Sequence, residues 1–552
     1  MKRRLFCVFA VALLWALYLL ALQQAHAIDD KKESRAVTFS RDVAPIFHKK
    51  CGECHRPNEI APMSLLSYRE ARPWARAVKE KVLTREMPPW HADPNYGKFS
   101  NDARLNQEEI DTIVAWVDQG AEEGDPGDMP PAPSFVKNWK VGKPDLILTM
   151  PEEHTIAGEG SDEYVNITLP MNLKEDKWLQ AAEINPGNKR VVHHVIAFLQ
   201  PPQTPENLET FQSKQPPGSI FYQDGSLIKV RMDAPVFDDG CSAAEKAGQK
   251  DVAPGNKWEL LGSLLCTYAP GKDVDIWPDR MAKFVPAGSS IVIQMHYSKA
   301  TSKIEKDRTS VGLIFAKRPP EKPIISMGIM NHYFKIPPGA DNHEVKACFK
   351  FNRDVELLAF MPHMHLRGKD MKYEALYPDG RREILLGVPE YRFNWQLMYR
   401  LERPISMPKG SSLVVTAHYD NSERNRYNPD PTKAIRFGES SYDEMMIGFV
   451  DFAPKHINRT PIELDPKIYD LYVGDYRLSE RIYIKIKREG NRLIASSTGQ
   501  PEFEILPASE TAFFFRDLDT RIIFVKDDRG EVSELIFEIE GHSLKAKKVS
   551  KQ

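Results

Sequence analysis

Residues 191–198 read VVHHVIAF, an apolar and largely β-branched run with two adjacent histidines in its first half. Three further runs of this kind follow, at residues 290–297, 355–361 and 413–419. Short apolar runs that are separated by proline, glycine, asparagine and aspartate are typical of antiparallel sheets. The region from about 135 to 460 is therefore predicted to form antiparallel β-sandwiches of the jelly-roll type.

The rest of the chain divides where its composition changes. Its 552 residues predict three or four domains, and its 42 prolines and 31 glycines favour a β-rich architecture. The fold class that we predict is multidomain and mainly β. In chain order, the predicted segments are a signal peptide at 1–27, a small all-α domain at 36–125, a β-sandwich at 135–318, a second β-sandwich at 319–460, and a small accessory β meander or barrel at 466–552.

The predicted all-α domain ends in a well-marked helix. Apolar residues recur there at the three-and-four spacing of a buried helix face. Asn106 and Glu109 have the spacing of a capping box at its start, and Gly120 is well placed to end it. The proline- and glycine-rich stretch 123–133 then predicts a linker. A second proline-rich stretch, at about 315–325, predicts the boundary between the two sandwiches.

The charge balance of the chain narrows the choice of partners. Lysine and arginine total 75 and aspartate and glutamate total 77, which gives a formal net charge of −2. No long run of one sign interrupts this balance. Since binding to a polyanion needs a basic excess, we expect no nucleic-acid partner.

The first 27 residues have the three parts of a secretory signal peptide. Residues 2–4 are basic, residues 5–22 are apolar, and residues 25–27 read AHA, which fits a cleavage site. The alternative is an uncleaved anchor, because the apolar stretch is close to the lower limit for spanning a membrane. Cleavage predicts a periplasmic or secreted bacterial protein with no stable membrane span.

The cysteines predict one disulfide. One of the six lies in the signal peptide and two belong to the motif described next, which leaves Cys241, Cys266 and Cys348. In an oxidising compartment, one disulfide and one buried thiol are expected of an odd number. Our prediction for the pair is Cys241 with Cys266.

Residues 51–55 read CGECH, the attachment sequence for a covalently bound c-type haem. Cys51 and Cys54 would bind the haem and His55 would be the proximal iron ligand, whereas the alternatives are a disulfide or half of a zinc site. The region 40–125 resembles a cytochrome c domain. That resemblance implies a methionine on the far side of the iron, where Met87 matches best and Met63 is the rival.

Two further groups of residues predict metal sites. His193, His194 and His296 form the first group; His363, His365 and Met445 form the second. Imidazole suits both oxidation states of copper, and a thioether favours Cu(I). His363 and His365 are two apart on a predicted strand and face the same way. His193 and His194 are adjacent, so sharing a metal requires a bulge, a strand end or strong twist. The alternatives are ordinary sheet histidines or zinc sites.

The order and neighbours of these six residues resemble the copper type II, ascorbate-dependent monooxygenases, which include peptidylglycine α-hydroxylating and dopamine β-monooxygenase. The resemblance covers about 135–455 and implies two jelly-roll domains that each carry one copper ion. By position, His193, His194 and His296 would hold the electron-transfer copper. His363, His365 and Met445 would hold the copper where oxygen binds and would be the catalytic set. The implied reaction is hydroxylation of a C–H bond of a small organic substrate with O2.

Two positions depart from that family. Where the peptide-amidating enzyme has an arginine and a tyrosine that help hold the substrate carboxylate, this chain has Met361 and Phe449. A more apolar substrate is therefore expected. Met446 is the alternative thioether to Met445, and His418 is interpreted as structural or as a neighbour of the second copper.

The order of the domains suggests how electrons are supplied. The haem would feed the first copper, and an external electron donor is a candidate partner. The rival interpretation is a haem and copper electron-transfer or copper-binding protein without hydroxylase activity. The last domain resembles the small C-terminal β domain of some secreted serine hydrolases through short motifs such as YVGDYR at 472–477. The substrate, the physiological reductant and the oligomeric state do not follow from the sequence.

Overall fold

The structure is a computed structural model that describes residues 35–549 with gaps. The residues left out of the description within this range are 58, 137–138, 161, 201–219, 224–225, 231–262, 273, 300–302, 319, 321, 332–333, 352, 439, 456–460, 481, 499–501, 516–519, 528 and 540–541. The predicted signal peptide lies outside the described residues. Within them, no helix combines the length and the apolar character that a membrane span needs.

The chain divides into two compact units, and the first is helical. Its described part comprises 35–88 and 104–134. The α-helices are α1 (Ala44–Lys50), α2 (Tyr68–Ala71), α3 (Ala75–Leu83) and α4 (Gln107–Asp118), with a π-helical turn at Phe39–Val43 and 3-10 turns at Arg72–Trp74 and Pro126–Asp128. Phe39, Phe47 and Trp116 meet in its core. The predicted capping box of Asn106 and Glu109 is confirmed at the start of α4.

The second unit contains residues 89–103 and the rest of the chain from 135. Its first part is a sandwich, as predicted for this region. The strands are β1 (Leu146–Thr149), β2 (His154–Ile156), β3 (Glu163–Pro170), β4 (Lys177–Asn185), β5 (Val192–Gln200), β6 (Ile220–Gln223), β7 (Ser226–Val230), β8 (Ser263–Tyr268), β9 (Asp275–Ile276), β10 (Met281–Val285), β11 (Ser290–Tyr297), β12 (Glu305–Asp307), β13 (Ser310–Phe315) and β14 (Lys322–Pro323). Strands run in the order β1-β13-β4-β10-β14 in one sheet, where β9 also pairs with β4, and β3-β11-β5-β8 in the other.

The second sandwich follows directly. Its strands are β15 (Ile325–Met330), β16 (Lys335–Ile336), β17 (His343–Lys350), β18 (Val355–His363), β19 (Gly368–Leu376), β20 (Arg382–Val388), β21 (Tyr399–Met407), β22 (Ser412–Tyr419), β23 (Ile435–Arg436) and β24 (Ile447–Pro454). They form the sheets β15-β24-β18-β21 and β17-β22-β19-β20. The connection 389–398 crosses from the second of these sheets to the first.

Residues 89–103 pack against this second sandwich rather than within the helical unit. Trp90 lies 4.9 Å from Tyr399 between ring centroids, and Phe99 forms an isolated bridge with Leu401. Both aromatic side chains join the apolar core of the sandwich. The segment 36–125, predicted as one cytochrome c-like domain, is therefore shared between two compact units.

The last part of the chain is a closed eight-stranded barrel, so the predicted small β domain is confirmed as a barrel. Its strands are β25 (Gly474–Arg477), β26 (Tyr483–Glu489), β27 (Arg492–Ser497), β28 (Phe503–Pro507), β29 (Ala512–Phe515), β30 (Thr520–Lys526), β31 (Val532–Ile539) and β32 (His542–Lys548). Closure pairs β25 with β32 and leaves no free sheet edge among these strands. A 3-10 turn at Pro466–Leu471 leads into it.

The predicted Cys241–Cys266 disulfide is wrong. Cys266 is a free thiol, buried on β8 among apolar side chains and opposite Ala197 of β5. Cys348 is disulfide-bonded, and Cys241 lies outside the described residues. Spacing along the chain was a poor guide because β8 turns the Cys266 side chain into the core of the sandwich.

Candidate metal centres

The first histidine group lies where β5 and β11 pair. His194 is directly opposite His296, but the next pair joins Val192 to Tyr297, so His193 is the extra residue of a β-bulge. A bulge rotates the local strand direction and lets two adjacent side chains turn toward one point. This β-bulge is the irregular pairing that the adjacent residues His193 and His194 need in order to share a metal.

The three imidazoles turn the same nitrogen toward each other. The Nδ1 atom of His194 is 3.1 Å from Nδ1 of His193 and 3.2 Å from Nδ1 of His296. The remote nitrogens have other partners: Nε2 of His193 is 3.0 Å from Oδ1 of Asn394, and Nε2 of His296 is 2.8 Å from Oδ2 of Asp162. Since those oxygens accept hydrogen bonds from Nε2–H of His193 and His296, the Nδ1 lone pairs of these two rings remain available to bind a metal.

Burial favours the neutral form of His193 and His194. Removal from water, followed by the neighbouring charge of His296, lowers the pKa of His193 to about 4. The same two causes hold the pKa of His194 well below its usual value. Three imidazoles whose Nδ1 atoms converge in a buried space are suitable ligands for a copper or zinc ion, so the residues present fit the predicted cofactor.

The second group lies at the end of β18, and its rings use the opposite nitrogen. The rings of His363 and His365 are 5.4 Å apart and nearly perpendicular. Nδ1 of His363 is 2.8 Å from Oε1 of Gln396, and Nδ1 of His365 is 3.3 Å from the carbonyl oxygen of Asp443. These acceptors leave Nε2 of both rings for a metal. Burial lowers the pKa of His363 to about 4.

Met445 lies two residues before Ile447, the strand partner of His363. In the pairing of β18 with β24, His363 is opposite Ile447, and two residues further along each segment come His365 and Met445. Met445 belongs to the apolar cluster that joins the two sandwiches, whereas Met446 is fully buried in the core of the second sandwich. This placement favours Met445 over Met446 as the thioether of the second group.

Glu444 links the two segments that supply the second group. Its carboxylate accepts hydrogen bonds from the amide of His365 at 2.8 Å and from the amide of Arg367 at 2.6 Å. Arg367 is buried too, and donates to Asn421 and to the carbonyl of Tyr442. Burial raises the pKa of Glu444 to about 8, against the lowering effect of those backbone hydrogen bonds.

The two histidine groups are neighbours. The ring centroids of His194 and His363 are 6.1 Å apart. Between them lies the connection 389–398, from which Phe393, Asn394 and Gln396 contact histidines. None of these three was predicted from the sequence, because each contacts a histidine of the first group about two hundred positions away.

His418 lies apart from both groups, on β22 in the other sheet of the second sandwich. Its Nδ1 is 2.7 Å from Oδ1 of Asp370, and its Nε2 is 3.6 Å from a carboxylate oxygen of Glu344. These partners on β17 and β19 give the ring a cross-strand role in that sheet.

The predicted haem motif lies at the end of α1 in the helical unit. Neither Cys51 nor Cys54 is disulfide-bonded, and burial, followed by the charge of Cys54, raises the pKa of Cys51 to about 12. Nδ1 of His55 is 3.3 Å from the carbonyl oxygen of Met63, which leaves Nε2 for an iron atom. Met87 is half-buried beyond α3, where its amide donates to the carbonyl of Lys81. The thiol pair and the oriented ring fit a covalently held haem.

The second sandwich matches a known family model. Residues 322–464 match the family described as copper type II ascorbate-dependent monooxygenase, C-terminal domain. The match supports that family, copper as its cofactor and a monooxygenase-type oxidoreductase function for this part of the chain. Residues 458–548, which contain the barrel, match a domain of unknown function, DUF3471.

Similarity to individual proteins is more limited. A segment of 75 residues is 33% identical to penicillin-binding protein 4* of Bacillus subtilis (strain 168), and covers 14% of this chain and 17% of that protein. Among solved structures, SurE is 12% identical with a TM-score of 0.13, over 26% of this chain and 31% of its own. The subviral particle protein VP2 of infectious bursal disease virus is 7% identical with a TM-score of 0.14, over 58% and 83%.

Proposed function

We propose that the protein is a copper-dependent monooxygenase that hydroxylates a C–H bond of a small, apolar organic substrate with O2. The proposal rests on the Nδ1 atoms of His193 and His296, which lie 3.1 and 3.2 Å from Nδ1 of His194. A second histidine pair lies next to them, in the part of the chain that matches the copper monooxygenase family model. Imidazole nitrogens that direct their lone pairs at one another in a buried space repel each other, and a bound cation between them removes that repulsion.

Each group of residues has its own role in the proposal. His193, His194 and His296 would hold the copper that transfers electrons, and His363, His365 and Met445 would hold the copper where O2 and substrate react. When bound, the two copper ions supply one-electron redox chemistry and activation of O2. The chain supplies oriented imidazoles, a thioether that favours Cu(I), and surroundings from which water is excluded.

An apolar substrate follows from the strand pair beside the second group. Met361 of β18 is directly opposite Phe449 of β24. Both belong to the buried apolar cluster that contains Met445, and Met361 is 2% exposed. These are the positions where the resemblance implies groups that hold a carboxylate. A substrate carboxylate here would lose its hydration without gaining a partner, which is costly.

The helical unit would supply electrons. Cys51 and Cys54 would hold the haem covalently and His55 would be its proximal ligand. Because Met63 already binds Nδ1 of His55 through its backbone, residue 63 lies on the proximal side, and Met87 is the better candidate for the opposite side. A location in the bacterial periplasm or outside the cell would be consistent with the predicted signal peptide and with attachment of a c-type haem.

Elemental analysis and oxygen labelling test the proposal together. We expect two copper ions and one haem in each mature chain, and incorporation of one atom of labelled O2 into the product. Substrates should be offered as size-matched pairs, one member apolar and the other ending in a carboxylate, and turnover should favour the apolar member. Absence of copper after mild isolation, or zinc in its place, would contradict the proposal.

One observation favours a second function, that of an electron-transfer protein without hydroxylase activity. Met361, Met445 and Phe449 are all buried, so a substrate would have to displace them to reach the second group. A protein that binds both metals, transfers electrons from the haem and leaves labelled oxygen out of every product tested would support this alternative.

A further inference from the structure

We propose that the connection between β20 and β21, residues 389–398, positions both histidine groups at once, with Asn394 and Gln396 as its positioning residues. This segment is called the bridging loop below. The inference concerns the proposed metal binding and rests on that part of the proposed function, but it does not depend on hydroxylation. The bridging loop belongs to the second sandwich, so the first histidine group is complete only when both sandwiches are present.

The bridging loop is fixed to the segment that carries the second group. The hydroxyl of Tyr391 donates to the carbonyl of Met364 at 2.8 Å and accepts from the amide of Met364 at 3.1 Å. Met364 is the residue between His363 and His365. The amide of Tyr391 also donates to the carbonyl of Lys369 at 2.8 Å. Any movement of the loop is therefore transmitted to the backbone of both histidines.

From that anchor the loop reaches the first group. Oδ1 of Asn394 accepts from Nε2 of His193 at 3.0 Å, which fixes the tautomer that leaves Nδ1 free. The ring of Phe393 stacks on His193, with centroids 5.0 Å apart and planes at 22°. The same ring lies 5.7 Å from His296 and 6.1 Å from His365. One aromatic side chain thus limits the rotation of imidazoles in both groups.

Gln396 touches one histidine of each group. Its Oε1 accepts from Nδ1 of His363 at 2.8 Å, and its Nε2 is 3.4 Å from Nδ1 of His194. The side chain is 1% exposed, so water does not replace these contacts. The shorter bond fixes the tautomer of His363, and the longer contact brings a single amide between the two groups.

Other contacts hold the two sandwiches together, so loop variants should leave them docked. The guanidinium of Arg400 on β21 is 3.1 Å from Asp275 on β9 and also donates to the carbonyl of Val274. The indole of Trp277 lies 3.3 Å from Asp451 on β24. None of these residues belongs to the bridging loop. A defect in a loop variant can therefore be assigned to the metal groups.

Copper binding to the full-length, haem-loaded protein tests the proposal. Each group is examined alone, with the other removed by H193A/H194A or by H363A/H365A, and copper is titrated against a competing chelator. We expect N394A to weaken copper binding by the first group by about 10–100-fold and to change its EPR hyperfine splitting. Q396A should weaken copper binding by the second group to a similar extent. N394D keeps an acceptor for His193, so it should retain most of the copper affinity that N394A loses.

The matched control is N491A, which removes an exposed asparagine amide in the barrel. It should bind copper as the unchanged protein does. Copper affinity and EPR spectra of N394A and Q396A equal to those of N491A would overturn the proposal. A wild-type protein that binds no copper would overturn it together with the proposed function. An N394A defect in a protein that binds copper but hydroxylates nothing would still support it.

Discussion

At the scale of single residues, hydrogen bonds to the remote imidazole nitrogens decide which nitrogen faces a metal. Asn394 and Asp162 hold Nε2 in the first group, whereas Gln396 and the carbonyl of Asp443 hold Nδ1 in the second. The two groups consequently present different nitrogens. A carboxylate behind an imidazole also makes the ring a stronger electron donor, which favours Cu(II) over Cu(I).

Asp162 should therefore tune the first group. D162N keeps an oxygen near Nε2 of His296 but removes the charge, so we expect Cu(II) affinity to fall by about 10-fold or more and the reduction potential to rise. Potentiometry with EPR detection on the H363A/H365A background measures both. The control is E163Q, because Glu163 binds His154 and Lys299 instead of the histidine group. An unchanged potential in D162N would show that the carboxylate has no such role.

Glu444 should act on stability as well as on the second group. E444A leaves the buried amides of His365 and Arg367 without their acceptor, at a cost of about 1–3 kcal/mol for each amide. E444Q keeps an acceptor oxygen and should lose less. Chemical denaturation of the metal-free protein gives the free energies of unfolding. If E444A and E444Q were equally stable, the two hydrogen bonds would contribute little.

At the scale of elements, the pair formed by β18 and β24 sets both the position of the ligands and the character of their surroundings. The pairing that brings His365 near Met445 also places Met361 opposite Phe449. A spacing of two along each strand places Met361 with His363, and Phe449 with Ile447, on one face of the sheet, and His365 and Met445 follow just beyond the strand ends. One register between β18 and β24 therefore determines both the position of the proposed ligands and the apolar residues next to them.

A charged side chain at position 361, inside this apolar cluster, should lower the free energy of unfolding. M361R puts an unpaired guanidinium into the apolar cluster, and we expect a loss of several kcal/mol in the free energy of unfolding. M361L keeps the volume and the polarity, and should cost less than about 1.5 kcal/mol. Thermal and denaturant unfolding of the two variants provides the comparison. Equal stability of M361R and M361L would mean that position 361 opens to water.

At the scale of the whole molecule, the sequence was a good guide to local features and a poor one to long-range contacts. The sandwich strands, the capping box at Asn106 and the need for irregular pairing at His193 were all predictable, since each depends on a few neighbouring residues. The bridging loop was not, because nothing in the sequence near Gln396 indicates that it meets His194. The disulfide of Cys348 was missed for the same reason.

The proposed direction of electron flow is a property of the complete chain and has its own prediction. Haem reduced chemically in the absence of oxygen should be reoxidised when O2 is admitted, and faster with copper bound than after copper removal. The physical reason is that low-spin haem with two protein ligands reacts slowly with O2 itself, whereas electrons passed to copper are consumed there. Stopped-flow absorbance of the haem bands gives the rates.

Two variants separate the steps of this transfer. H193A/H194A should slow reoxidation to the rate of the copper-free protein, because it removes the group proposed to receive electrons from the haem. With H363A/H365A reduced by only one electron per chain, the electron should pass from the haem to the first copper and stay there after O2 is admitted, because the second group is where O2 would consume electrons. Haem reoxidation at one rate in the copper-loaded protein, the copper-free protein and both variants would show that the haem serves some purpose other than feeding the copper groups.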